Sequence, residues 1–469
     1  MSKLKYCLTN AFESNGYWWL PENKENKVPG KISFDPLGDF SLNLLGTLGP
    51  EKSFGGESTF KPEIIQGVLE DGQLCTLINS FQTNYSFGTI LTNSTFALNI
   101  AIIGWAFDKI EAIKFNCANF ELTNLNNWAS QKCFKTAPWK DNKYCVEYNM
   151  PKKMKFSINS LNSTLSICSR ADIKPGFFSN EIYHQNYIQI RPKKKQNLDW
   201  FLEAIYGLQN LIAILTAERI FTTQIKLGVK KEKGRLPSGK MNNKYASILL
   251  RQSHYEQTKD IHSLEIPFTF RSVMNTFGTI VDSWFEEKLS NSSIYDVFFH
   301  GLYNKSLNQE FEFIGLMQSL EGIHRALGND KYMDEQDYEE VRKTISNSIP
   351  VNLAGDHKDA LKARIKYGNE YSLRKRMSLI FQGLDGEIRN LITDDYKQFI
   401  SKVVDNRNYL THYDKASAAN KMEWHEMYLH SWGLRTLLIC LIYKKIGINS
   451  KTLVNVLKNN RKFTKPTIS

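Results

Sequence analysis

Arg407, Asn408 and His412, in the run Val403-Val404-Asp405-Asn406-Arg407-Asn408-Tyr409-Leu410-Thr411-His412, are the residues best suited to chemistry on phosphate. An arginine is a permanent cation whose planar fork matches two phosphate oxygens at once. A histidine titrates nearest neutrality, so it can both take and give a proton. On a helix, Asn408 and His412 are four residues apart and project from one face. Arg407 lies about 100° round from Asn408, with an arm long enough to swing to the same side. Cleavage of a phosphodiester by its own 2′-hydroxyl needs a group to remove that proton and another to protonate the leaving 5′-oxygen. It also needs positive charge on the phosphorane. One Arg and one His are few for all three tasks, whereas two copies facing across a twofold axis would supply a full set. The plain alternative is a helix carrying a surface arginine and an ordinary histidine.

Other motifs compete less well. Gly234-Arg-Leu-Pro-Ser-Gly-Lys240 begins like a phosphate-binding loop, but Met241 stands where a magnesium-ligating Ser or Thr belongs, and residues 242–250 read as turn and strand. His425-Glu-Met-Tyr-Leu-His430 is one residue longer than the zinc motif H-E-x-x-H. Its two rings are then ~140° apart on a helix, and Leu429 occupies the second ligand's place. Glu321 and Arg325, four apart in Leu320-Glu-Gly-Ile-His-Arg325, form a helix-face ion pair, and Glu321 could equally be an anchor inside a bundle. The seven cysteines form no C-x-x-C pair and several sit in apolar runs. Buried free thiols in a reducing cytoplasm are therefore expected, with no metal and no cofactor.

The elements that must position the three residues follow from patterning. At 469 residues with 42% apolar and 23% charged content, the chain calls for two or three folded domains. Residues 401–469 hold 12 Lys/Arg against 4 Asp/Glu, so a net +8 of the total +12 lies in that stretch. Such a concentration favours a polyanion, nucleic acid before membrane. The start of the chain lacks the apolar core of a signal peptide, and the apolar runs 96–107 and 434–443 are too short to cross a bilayer. Trp18, Trp19 and Trp139 are candidates for a partner surface, with core packing the more ordinary role.

Alternating apolar residues and turn signals predict strands over 64–69, 75–78, 86–91, 96–103, 112–115, 165–168 and 187–191. Leu198, Leu202, Ile205, Leu208, Leu211, Ile212 and Leu215 predict a helix near 197–218, followed by strands at 221–227 and 245–251. Beyond Phe268 the period is helical: 270–289, 295–303, 309–327, 334–348, 356–367, 373–384, 395–412, 423–446 and 452–458. The expectation is an α+β protein of two domains. Residues 1–260 form an antiparallel β-rich sandwich or barrel-like domain, and 261–469 an all-α bundle.

Arg407-Asn408-Tyr409-Leu410-Thr411-His412 resembles the R-x4-6-H signature of HEPN domains, with a polar residue straight after the arginine. The helix Phe311-Glu-Phe-Ile-Gly-Leu-Met-Gln-Ser-Leu-Glu-Gly-Ile-His-Arg325 is similar to the matching element of the ApeA-type branch. Gly16-Tyr-Trp-Trp19, Val28-Pro-Gly-Lys-Ile32, Phe40-Ser-Leu-Asn-Leu-Leu-Gly46, Ile65-Gln-Gly67 and Cys75-Thr-Leu77 resemble the ApeA N-terminal domain.

The resemblance implies a cytoplasmic bacterial protein of abortive-infection anti-phage defence. Its HEPN domain would cut host RNA, plausibly tRNA, without metal, leaving 2′,3′-cyclic phosphate and 5′-hydroxyl ends. Its β-rich domain would respond to a phage protein as trigger. Arg407 and His412 would be catalytic, with Asn408 supporting them, in a homodimer or higher homo-oligomer. The competing reading is a non-catalytic RNA-binding or sensor protein whose bundle serves only to dimerise.

Overall fold

The structure, a computed structural model, describes residues 6–49, 60–87, 92–233, 241–328, 330–413, 419 and 421–466. It divides into two compact units, Met1–Phe285 and Glu286–Ser469. The first is built on β structure and the second on helices, which is the two-domain α+β organisation expected.

In the first unit, fourteen strands among the described residues join in one antiparallel ladder. Phe40–Leu45 shows why a strand forms: Phe40, Leu42 and Leu44 are buried while Asn43 and Leu45 face out. The ladder stays open, since Met154–Ile158 and Phe81–Phe87 each pair on one side only. Among the described residues the ladder therefore does not close into a barrel. Exposed Lys155 marks the first edge and a bulge between Gln82 and Asn84 the second, both features that discourage further pairing. The single strand expected over 96–103 is two. Thr92–Ala97 pairs with Phe40–Leu45, whereas Ile100–Ile103 lies between Leu74–Ile78 and Met241–Leu250. Strands Phe12–Leu20 and Cys117–Leu122 were not anticipated. The phosphate-loop-like residues 234–240, and 88–91 of an expected strand, lie outside the described residues. Trp18 and Trp19 are buried, but Trp139 is 73% exposed and leans on Tyr144.

Helices here are α1 (Leu125–Ala129), α2 (Leu198–Thr216), α3 (Phe270–Val273) and, up to Phe285, α4 (Phe277–Ser290), whose last residues belong to the second unit. Asn197 caps α2 by accepting the Trp200 N–H, and Ala217 closes it in the left-handed region. By length and composition α2 alone among the described helices could cross a membrane; 72% of that window is buried inside the protein. Gln209 and Asn210 interrupt its apolar run. Both are buried, and the Gln209 side-chain oxygen accepts the Thr222 hydroxyl. Residues 261–285, expected with the helical half, pack on the sheet unit. Trp128 donates to the Phe268 carbonyl and meets the rings of Phe270 and Phe277. Trp284 donates to the Gly207 carbonyl at 2.8 Å.

The second unit comprises α5 (Ser292–Tyr303), α6 (Gln309–Arg325), α7 (Glu335–Asn347), α8 (Gly355–Lys366), α9 (Leu373–Gln382), α10 (Gly386–Ile392), α11 (Tyr396–His412), α12 (Trp424–Lys445) and α13 (Ser450–Asn459). Caps legible in the sequence start several of them: Asn308, Asp334, Ser372, Asp395 and Asn449 each accept a first-turn N–H. α6 is central, packing against α5, α9, α11 and α12. α12 is buried along most of its length. α7 and α8 form an excursion that buries little beyond Tyr338.

Candidate active site

α11 sets the site. Asp395 fixes its start by accepting the N–H groups of Lys397 and Gln398. Phe399, Ile400, Val403, Val404, Asn406 and Leu410 form its buried face. Arg407 falls at the edge of that face, whereas Asn408 and His412 stand in solvent. The long arm of Arg407 does reach round the helix. One guanidinium nitrogen donates to the Asn408 side-chain oxygen at 3.4 Å, and another lies 3.9 Å from a Glu321 carboxylate oxygen. The Asn408 contact lies on the helix face that His412 shares. His412 occupies the last turn, closed by Tyr413 in the left-handed conformation with its N–H on the Tyr409 carbonyl. The Thr411 hydroxyl donates to the Arg407 carbonyl at 2.8 Å, bracing the same turn.

Glu321 is the contribution of α6. Its other oxygen takes Nε and an Nη of Arg325 at 3.2 and 3.1 Å. Arg325 continues to Glu370 at 3.0 Å. Glu370 also lies 3.7 Å from the fully buried guanidinium of Arg376, which donates to Asp330 and to the Tyr371 carbonyl. Beside Arg376 is buried His324; burial, then the neighbouring Arg376 charge, push its pKa below the ordinary histidine value. The helix-face pair Glu321–Arg325 is therefore also the link between Arg407 and a chain of charges at the base of the α7–α8 excursion. The spacing of Glu321 and Arg325 pointed to their own pairing, but carried no sign of Arg407, since 86 positions separate Glu321 from it.

The basic surplus of residues 401–469 is partly spent inside the unit. Lys402 pairs with Glu426, Arg435 with Glu312, Lys445 with Glu287 and Lys458 with Glu387. The two histidines of the overlong zinc-like motif do different things. His425 is exposed, while His430 donates from Nδ1 to the Glu426 carbonyl and stacks on Phe399 at 5.1 Å. Burial holds the His430 pKa below the usual value. Six cysteines are buried, as their apolar settings suggested, and Cys145 is exposed.

Asn406 is the residue the motif did not single out. It lies fully buried in the core stripe, and its side-chain oxygen accepts the Met422 N–H at 2.9 Å. Its one signal in the sequence is phase: it falls in step with Phe399, Val403 and Leu410, where an apolar side chain is expected.

The comparison with curated proteins returned no match, and neither did that with solved structures. The family model for ApeA N-terminal domain 1 matches residues 13–284, and that for Apea-like HEPN matches residues 314–452. The first match ends at the division between the two units, and the second contains α11 with Arg407, Asn408 and His412. Matched over more than half its length and in this order, the chain belongs to the ApeA family, with an ApeA N-terminal domain followed by an ApeA-like HEPN domain.

Proposed function

We propose that this protein is a metal-independent endoribonuclease of bacterial anti-phage defence. In this reading His412 moves the proton of the attacking 2′-hydroxyl or of the departing 5′-oxygen. Arg407 holds the phosphate as its charge builds, and Asn408 orients Arg407. The bond formed joins the 2′-oxygen to phosphorus and the bond broken releases the 5′-oxygen, leaving 2′,3′-cyclic phosphate and 5′-hydroxyl ends. Two proton transfers from one histidine favour a homodimer in which both copies of the motif complete the site. Host tRNA is the preferred substrate, and the N-terminal unit restrains the nuclease until it meets a phage protein in the cytoplasm. The observation that carries the reading is the Arg407 guanidinium reaching back to Asn408, on the face of the exposed His412, within an Apea-like HEPN domain.

The test is incubation of the whole protein with total RNA in EDTA, with mapping of the new termini. Cyclic phosphate ends that vanish in Arg407→Ala and His412→Ala support the reading. RNA that is bound in a salt-dependent way yet never cut, including in cells challenged with phage, points instead to a non-catalytic RNA-binding protein.

A further inference from the structure

Phe399, Val403, Asn406 and Leu410 recur at i, i+4, i+7 and i+11 and form one buried stripe of α11. Three are apolar. Asn406 is fully buried, where an amide is costly unless its groups are paired. Its oxygen accepts the N–H of Met422, itself buried and two residues ahead of the first residue of α12. Its Nδ2 has no partner among the described residues. That hydrogen bond ties α11 to the point where the chain comes back after His412.

The final turn of a helix has carbonyls with no partner inside the helix and frays readily. Here that turn carries His412 and ends in Tyr413, a residue with φ +48° that lacks glycine's tolerance for the left-handed region. We infer that Asn406 is a positioning residue: its bond to Met422 pins the chain on the far side of His412, and so holds His412 in register with Arg407. It touches no substrate and acts through the last turn of α11. The inference rests on the nuclease reading for its effect on catalysis, but its effect on that turn stands apart from activity.

The test uses the full chain with Asn406→Leu, which suits the apolar stripe but offers no acceptor, and Asn406→Ser, whose hydroxyl is too short to reach Met422. Where Asn406→Leu does not fold, Asn406→Ser decides by the same criteria. Amide hydrogen exchange at Thr411 and His412 should speed up at least tenfold while exchange in the first turns of α11 stays as in the parent. Turnover on RNA should fall at least tenfold, with KM within threefold. Unchanged exchange at His412 overturns the inference, as does parental turnover. Arg407→Ala and His412→Ala run alongside: cleavage surviving in those sinks the nuclease reading. Cleavage lost there but intact in the Asn406 variants sinks only this inference.

Discussion

Replacing Glu321 with glutamine isolates the charge that stands beside Arg407 while keeping the side chain's shape. The Glu321 carboxylate lies 3.9 Å from the Arg407 guanidinium, with side chains 20% and 28% exposed. At that distance two unit charges interact by about 1 kcal/mol in water-like surroundings and about 4 kcal/mol at an effective dielectric near 20. Partial exposure places this pair near the lower figure, about 1 kcal/mol, after solvent screening. The carboxylate competes with phosphate for the same cation, so neutralising it should tighten RNA binding by about fivefold at low salt. The dependence of log Kd on log salt should steepen, because a freed Arg407 neutralises phosphate more fully. Stability should change little: Arg325 keeps Glu370 at 3.0 Å, and a partly exposed pair is worth under ~1 kcal/mol, or about 2–4 °C in Tm for a unit of this size. Fluorescence anisotropy with a catalytically dead His412→Ala background gives Kd without cleavage. Weaker binding in the Glu321→Gln protein would refute the reasoning, and would show that the carboxylate holds Arg407 in its binding pose.

Three further outcomes are expected. Trp284→Ala removes a fully buried indole that donates to Gly207, and should cost the first unit roughly 3–5 kcal/mol; if denaturation of that unit is unmoved, residues 261–285 do not belong to its core. A thiol reagent at pH 8 should label one cysteine in the native protein and seven after denaturation, since Cys145 alone is exposed and burial pushes Cys440 up to about 12; labelling of several native thiols would contradict the fold. Burial disfavours the protonated forms of His430 and His324, so their pKa values in the fold lie below those of the unfolded chain. The unfolded state then binds more protons as pH drops below ~6.5, so stability is full above that value and is lost as pH falls towards the folded pKa values. His430→Gln should flatten part of that acid slope in denaturant titrations, and an unchanged slope would assign the loss to other groups.

Removing residues 1–256 to test for restraint by the N-terminal unit would strip Phe270, Phe277 and Trp284 of their partners Trp128, Phe156 and Gly207. A change in activity on such a deletion, in either direction, would then mix exposure of this apolar surface with loss of the proposed restraint. Substitutions in the whole chain avoid that confusion.

By itself the sequence determined most helices of the second unit and the spacing of Arg407, Asn408 and His412. Helical period and N-cap residues are local, so Asp334 and Asp395 announced α7 and α11 within a residue. The spacing of Arg407, Asn408 and His412 is likewise a property of one helix. The seven-residue α10 went unforeseen because so short a helix leaves almost no periodicity. Only the tertiary structure decided the rest. Strand order brought Ile100–Ile103 beside Met241–Leu250, a pairing that turn signals cannot encode. Packing of α6 on α11 set Glu321 against Arg407, and the return into α12 placed Met422 over Asn406. Asp405, Asn406, Arg407 and Asn408 read as one polar run. The burial of Asn406, set by the elements around α11, separates it from half-buried Arg407 and exposed Asn408 on the same helix.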